Sequence, residues 1–199
     1  MGEHYFSAEP VSDARRRTLQ VELAGRTVRV QTAGGVFSPD HVDLGTRVLL
    51  THTPPPPADG ELLDLGCGWG PVALELALRS EGRVWAVDVN ARALDLVADN
   101  ARALDLTTVH PALPDDVPAD LTFDAIWSNP PIRIGKAALH ELLGRWLPRL
   151  APGGAAHLVV SKNLGADSLQ QWIAAELGLP VERVASAKGF RVLRVDAAS

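Results

Sequence analysis

The chain has 199 residues, 46% apolar and 22% charged, with a formal net charge of −5. That is enough chain for one domain with a full core, and the mixture excludes a mainly disordered or collagen-like polypeptide. The negative balance argues against nucleic-acid binding through bulk charge, but residues 59–131 carry −9 and residues 132–199 carry +4. An anionic partner is therefore expected to meet the last third, or the Arg15-Arg16-Arg17 run.

The first ten residues show neither the basic start nor the apolar stretch of a signal peptide, and Phe6 stands where a myristoylation signal wants Ser or Thr. Residues 18–30 alternate apolar and polar, which predicts a hairpin around Ala24-Gly25-Arg26. A short helix is expected over 43–50. Pro54-Pro55-Pro56-Pro57 is a stiff connector and sets a boundary, with an extension over 1–58 and the main domain over 59–199. From there strands are expected at 61–65, 83–89, 107–110, 123–128, 155–161, 181–187 and 190–196. Helices are expected at 71–80, 91–104, 135–150 and 167–177, with Pro71 suited to a first helical position and Asn90 to an N-cap. Strands alternating with helices predict a three-layer α/β domain. Its seven-stranded sheet is mostly parallel, and the closing hairpin supplies an antiparallel edge strand. No apolar run approaches the roughly 20 residues of a membrane span.

Three segments carry chemistry. Leu62-Leu63-Asp64-Leu65-Gly66-Cys67-Gly68-Trp69-Gly70 runs from strand through glycine turn to helix, where a ligand can approach the main chain at a helix N-terminus. Pro71 occupies the place of the third glycine of a dinucleotide fingerprint, so the spacing disfavours a nicotinamide cofactor. Asp88 ends the second strand, 22 residues after Gly66, where a carboxylate can accept from both ribose hydroxyls. Ser128-Asn129-Pro130-Pro131-Ile132 ends the fourth strand. Its prolines withhold N–H donors, so the Asn129 side-chain oxygen and the Pro130 carbonyl can hold an amino group by its two hydrogens.

These motifs resemble those of class I S-adenosylmethionine-dependent methyltransferases, and Asn129-Pro130-Pro131 resembles the motif of enzymes acting on amino nitrogens. Further segments resemble the small ribosomal RNA guanine-N2 methyltransferases of the RsmC type. They are His4-Tyr5-Phe6-Ser7, Gly35-Val36-Phe37-Ser38, Asp43-Leu44-Gly45-Thr46 and Pro131-Ile132-Arg133-Ile134-Gly135-Lys136. The resemblance implies a Rossmann-like methyltransferase fold and S-adenosyl-L-methionine as cofactor. It implies Asn129, Pro130 and Pro131 as catalytic residues. Cofactor contacts are expected from Phe37, Thr46, Asp64, Gly66, Cys67, Gly68, Gly70, Asp88, Val89, Ala112, Leu113 and Asn129. Substrate contacts are expected from Ile132, Arg133 and Lys136, with Lys162, Lys188 and Arg191 as further candidates for phosphates.

The sequence departs from that family where a base-stacking aromatic often follows Asn-Pro-Pro, since Ile132 stands there. After the third strand it reads His110-Pro111-Ala112-Leu113, without the usual acid. The expected partner is RNA or an assembling ribosomal subunit, in the cytoplasm, with no membrane and no metal. A small-molecule amine or a protein glutamine is the alternative substrate, and a nicotinamide-dependent oxidoreductase is the alternative outside the methyltransferases. The lone Cys67 lacks a positioned base and is expected to contribute backbone contacts only. Trp127, Trp146 and Trp172 read as core.

Overall fold

Leu62 and Leu63 are sequence neighbours, both are completely buried, and they face opposite sides of one sheet. The computed structural model describes residues 15–131 and 134–198. A two-stranded hairpin of β1 (Arg16–Leu23) and β2 (Arg26–Ala33) is followed by α1 (Leu44–His52). Then come β3 (Glu61–Leu65), α2 (Pro71–Ala77), β4 (Arg83–Val87), α3 (Ala91–Ala103), β5 (Val109–Ala112) and β6 (Phe123–Ser128). The chain closes with α4 (Lys136–Trp146), β7 (Leu150–Ser161), α5 (Ala166–Glu176), β8 (Val181–Ala187) and β9 (Phe190–Asp196).

The seven-stranded sheet has the order β5-β4-β3-β6-β7-β9-β8. The edge strand β8 pairs antiparallel with its neighbour, as expected. The strand whose direction is reversed is β9, inserted between β7 and β8. Core residues of α1, α2 and α3 pack on one face with Leu62, Val84 and Trp127. Those of α4 and α5 pack on the other with Leu63, Val87 and Ile126.

Local chemistry explains where the boundaries moved. The chain stops being helical at Trp146, passes through a 3₁₀ turn over Leu147–Arg149, and is already strand at Leu150. The expected break at Pro152-Gly153-Gly154 is instead a bulge inside β7, at the register shift opposite Phe123 and Ala125. Gly154 fits there because a Cβ would stand 2.7 Å from the Phe123 carbonyl oxygen. The third strand begins at Val109 rather than Thr107, after Asp105 with its positive φ of 56° has ended the helix. It tolerates Pro111 because β5 is the other edge strand.

The hairpin shares the core of the main domain. Ala24 and Gly25 turn with φ of 49° and 72°, which matches the twist of a two-residue hairpin. Val21, Leu23, Val28 and Val30 are buried with Trp69, Leu74 and Val97. Two buried polar side chains fasten it. Glu75 accepts from the Ala24 N–H at 2.6 Å, and Asn100 exchanges two hydrogen bonds with the Gln31 backbone at 2.6 and 2.9 Å.

His157 in β7 is 5% exposed, and neither ring nitrogen has a hydrogen-bond partner among the described residues. Its ring lies edge-on to Trp127. Burial pushes its pKa down from 6.5 to about 4, with Arg194 adding to the fall and Asp196 opposing it. The unfolded chain therefore binds a proton that the folded chain refuses between those values. This contribution to stability is complete above pH 6.5 and is lost as pH falls through 4, by up to about 3 kcal/mol. Urea titrations at pH 7.5 and 4.5 are expected to show His157→Leu losing markedly less stability on acidification than the parent. Equal losses would show that His157 titrates normally.

Candidate active site

The loop between β3 and α2 is built on three left-handed glycines, Gly66, Gly68 and Gly70, with φ of 77°, 54° and 99°. L side chains rarely adopt these values, so the glycines are conformational necessities. The N–H groups of Gly66 and Cys67 both donate to the Val87 carbonyl, at 2.8 and 3.0 Å, and lock the loop to the end of β4. Gly70 precedes α2, and a Cβ there would stand 3.0 Å from the Val97 side chain.

Two acids frame the loop. Asp64 is 1% exposed, and its carboxylate accepts from the Ala73 N–H at 2.8 Å. Burial raises its pKa to about 8; the Ala73 hydrogen bond opposes the rise and the nearby Asp88 adds to it. A carboxyl held neutral in this way ionises when positive charge settles beside it. Asp88 stands one residue beyond β4, and burial raises its pKa as well. Its two oxygens accept from the Gly68 N–H at 3.0 Å and the Asn90 N–H at 2.9 Å. With the Val89 N–H as a third backbone donor, the carboxylate still retains acceptor capacity. Cys67 is buried and its thiol pKa is pushed well up, chiefly by burial and then by Asp88 and Asp64, so it is no nucleophile.

On the far side of β3, the Ser128 hydroxyl donates to the Leu65 carbonyl at 2.7 Å and pins the end of β6 to the end of β3. Asn129 follows. Both hydrogens of its side-chain amide are committed, one to the Asp43 carboxylate at 2.9 Å and one to the Thr46 hydroxyl at 3.1 Å. Asp43 is the N-cap of α1 and also accepts from the N–H groups of Gly45 at 2.8 Å and Thr46 at 3.3 Å. A carboxylate only accepts, so it fixes which way round the amide stands. The Asn129 side-chain oxygen is left with no partner among the described residues. Gly45 has no room for a side chain, since a Cβ would lie 2.9 Å from the Asp43 carboxylate and 3.0 Å from the Phe190 ring.

A cavity between α1 and the glycine loop is lined by Phe37, Asp43, Thr46, Asp64, Gly68 and Asn129, among others. Phe37 is 49% exposed and lies against Gly68. The Trp69 indole N–H donates to the Ser38 carbonyl at 3.1 Å and holds that segment to the loop. Val89 and Leu113, exposed apolar residues, follow the paired strand ends Val87 and Ala112, and Ala112 is buried. His110 is exposed with its ring 5.8 Å from Trp85. Lys136 is exposed at the start of α4.

The motif glycines, Asp64, Asp88 and Asn129 thus meet at the carboxyl ends of β3, β4 and β6, where the strand order changes direction. Ile132, Arg133 and the His4-Tyr5-Phe6-Ser7 segment lie outside the described residues. The structure qualifies three expectations. Arg16 and Arg17 are already engaged by Asp99 and Asp40. Arg191 is nearly buried and paired with Asp167, which removes it from the phosphate candidates. Trp172 is half-buried: it packs against the margin of the core and stacks on His140 at 3.8 Å. The sequence reading missed Asp43 and Phe190 as neighbours of the site. Asp43 stood in the Asp43-Leu44-Gly45-Thr46 segment without a role of its own, and nothing local pointed to a partner 86 positions away.

A family model described as "Methyltransferase small domain" matches residues 27–194. YbxB of Bacillus subtilis, an uncharacterized protein, is 33% identical over 98% of both chains. Ribosomal RNA small subunit methyltransferase C of Pseudomonas aeruginosa is 34% identical over 93% of this chain and 56% of its own length. The Shewanella sediminis protein of the same name is 31% identical over 74% and 44%. The chain therefore spans about half the length of these ribosomal RNA methyltransferases. Among solved structures, the T. thermophilus 16S rRNA N2 methyltransferase RsmC, in complex with AdoMet and guanosine, aligns with a TM-score of 0.79. That match is 24% identical and covers 96% of this chain and 53% of that one.

Proposed function

The chain belongs to the methyltransferase small-domain family, among the class I S-adenosylmethionine-dependent methyltransferases, and from that premise we propose that it methylates the exocyclic N2 amine of a guanine in ribosomal RNA. The observation that carries this reading is the fixed amide of Asn129. With both its hydrogens held by Asp43 and Thr46, it presents an acceptor, and only an acceptor, to whatever enters the cavity.

The residues present fit the cofactor. A buried carboxyl poised near neutral pH, Asp64, suits a ligand with a cationic sulfonium and ammonium. Asp88, with acceptor capacity beyond its backbone donors, suits ribose hydroxyls. Val89 and Leu113 offer an apolar slot at the next strand ends for adenine. When bound, S-adenosylmethionine supplies an electrophilic methyl group on a sulfonium. The chain's own groups do the rest by positioning. The Asn129 oxygen and the Pro130 carbonyl accept the two amine hydrogens, which aims the nitrogen lone pair into the cavity. The same two oxygens stabilise positive charge as it grows on nitrogen. The proton leaves to solvent after transfer, so no general base is required. In this reading residues 59–199 are the catalytic domain, and residues 1–58 are an extension that brings Asp43 and Thr46 to it.

Asp88→Ala is expected to weaken S-adenosylmethionine binding about tenfold, the loss of one charge-assisted acceptor. Isothermal titration checks this, and an unchanged affinity would remove Asp88 from the ribose. The substrate is tested with tritiated S-adenosylmethionine and an extract of a strain lacking the gene. Label is expected in small-subunit ribosomal RNA, as N2-methylguanosine on nucleoside analysis. Label confined to protein or to a small amine would replace the RNA reading with one of those alternatives.

A further inference from the structure

Residues 132–199 hold nine basic side chains, and the structure sorts those it describes. Arg145, Arg191 and Arg194 are paired with Asp115, Asp167 and Asp196. Arg149 lies over Trp146 and donates to backbone carbonyls. Among the described residues, Lys136, Lys162, Arg183 and Lys188 are exposed with no side-chain partner; of these, Lys162 follows the end of β7 and Lys188 lies in the adjoining β8–β9 turn, both at the end of the sheet where Asn129 follows β6.

The connection to Asn129 is short. The Lys162 N–H donates to the Gly189 carbonyl at 2.8 Å, and Ser161 pairs with Phe190 across β7 and β9, so Lys162 and Lys188 flank one corner. Phe190 is half-buried at that corner. A Cβ on Gly45 would lie 3.0 Å from the Phe190 ring and 3.3 Å from the Asn129 amide nitrogen. The ring thus stands against the first turn of α1, one glycine away from Asn129. Phe37 lies on the other side, against the glycine loop. Two residues after Lys162, Leu164 is 52% exposed.

We infer that this corner, formed by the Lys188-Gly189-Phe190 turn and the Lys162–Leu164 turn, is the platform that holds the RNA strand while Asn129 receives the base. The inference rests on RNA being the substrate. A guanine whose amine reaches Asn129 has left its stack, and an unstacked base needs a new face; Phe190 and Leu164 provide one. The phosphates on either side of a flipped nucleotide lie several ångströms beyond the base, and Lys162 and Lys188 belong to the two turns that meet beside Phe190. Two cations that are not already paired bind phosphate without first breaking an ion pair.

The test compares Lys162→Ala/Lys188→Ala, Phe190→Leu and Phe190→Tyr with the parent, on small-subunit ribosomal RNA from a strain lacking the gene. The double lysine variant is expected to raise KM for RNA and to flatten the slope of log affinity against log salt by about 1.4, for two single-strand phosphate contacts. Phe190→Leu is expected to raise KM about 5- to 100-fold, and Phe190→Tyr to restore it. Melting temperature and S-adenosylmethionine affinity are read in parallel and are expected to stay near the parent's. A loss in Phe190→Leu that tracks the melting temperature, or that Tyr fails to rescue, overturns the role of the ring. If the parent labels RNA and the lysine variant keeps its KM and salt slope, the platform fails and the RNA reading survives. If the parent labels no RNA, both fall together.

Discussion

Asn129→Ala is expected to lower the single-turnover rate by about 10² to 10³ while leaving S-adenosylmethionine affinity close to the parent's, the usual cost of deleting one preorganised group aimed at developing charge. In the proposed reaction the side-chain oxygen meets the substrate amine, and its attraction grows as the nitrogen turns positive. Its loss therefore falls on the transition state more than on the ground state. The fold is not expected to suffer. Asp43 keeps the N–H groups of Gly45 and Thr46 after the amide is gone, and the end of β6 remains pinned by Ser128. Asn129→Asp should be no better. It keeps an oxygen but sets a second carboxylate against Asp43, where the amide nitrogen now stands at 2.9 Å, and like charges at that distance repel or force a proton onto one of them. Rapid-quench measurement of methyl transfer beside calorimetric cofactor affinity decides it. Near-normal transfer by the alanine variant would reduce the Asn-Pro-Pro segment to a rigid turn.

How much of this was legible in the chain depends on the range over which each feature is encoded. The glycine loop is local: Gly66, Gly68 and Gly70 occupy left-handed positions that only glycine fills easily, so their spacing is readable as a turn. The closing hairpin is equally local, and Lys188-Gly189 does turn between β8 and β9 as the pattern implies. The helix that overran Trp146 fails for a different reason. Leu147–Arg149 has acceptable helical composition, but strand pairing of Leu150 with Phe123 claims the chain first, a tertiary preference that propensity does not record. The orientation of Asn129 was invisible for the same reason. It depends on a helix cap 86 residues earlier, in a segment that composition alone assigns to an extension. The fate of the arginines is also non-local. Arg16, Arg17 and Arg191 count as cations in the sequence, yet the fold places an aspartate beside each, so charge density overstates what is available to an anion.

Substitutions at Asp43 separate the two tasks that one carboxylate performs. It caps α1 through the N–H groups of Gly45 and Thr46, and it orients Asn129. Asp43→Ser retains a good N-cap but is too short to reach the amide, and its hydroxyl can donate as readily as accept. The Asn129 amide is then free to turn over and present its NH₂ to the incoming amine, a repulsive donor-to-donor arrangement. Loss of one fixed orientation at a reacting centre costs up to about 10²-fold in rate. Asp43→Ala makes the same catalytic loss and in addition forfeits the cap, about 0.5–2 kcal/mol of stability. Asp43→Asn keeps the cap and can still turn its carbonyl toward the Asn129 amide. The expected order for methyl transfer is therefore parent, then Asn, then Ser and Ala together, whereas for unfolding free energy Asn and Ser stay near the parent and only Ala falls. A purely structural Asp43 would make the two orders coincide. Single-turnover rates and urea denaturation on the four proteins distinguish the cases, and a serine variant that is both fully stable and fully active would show that Asn129 holds its orientation without Asp43.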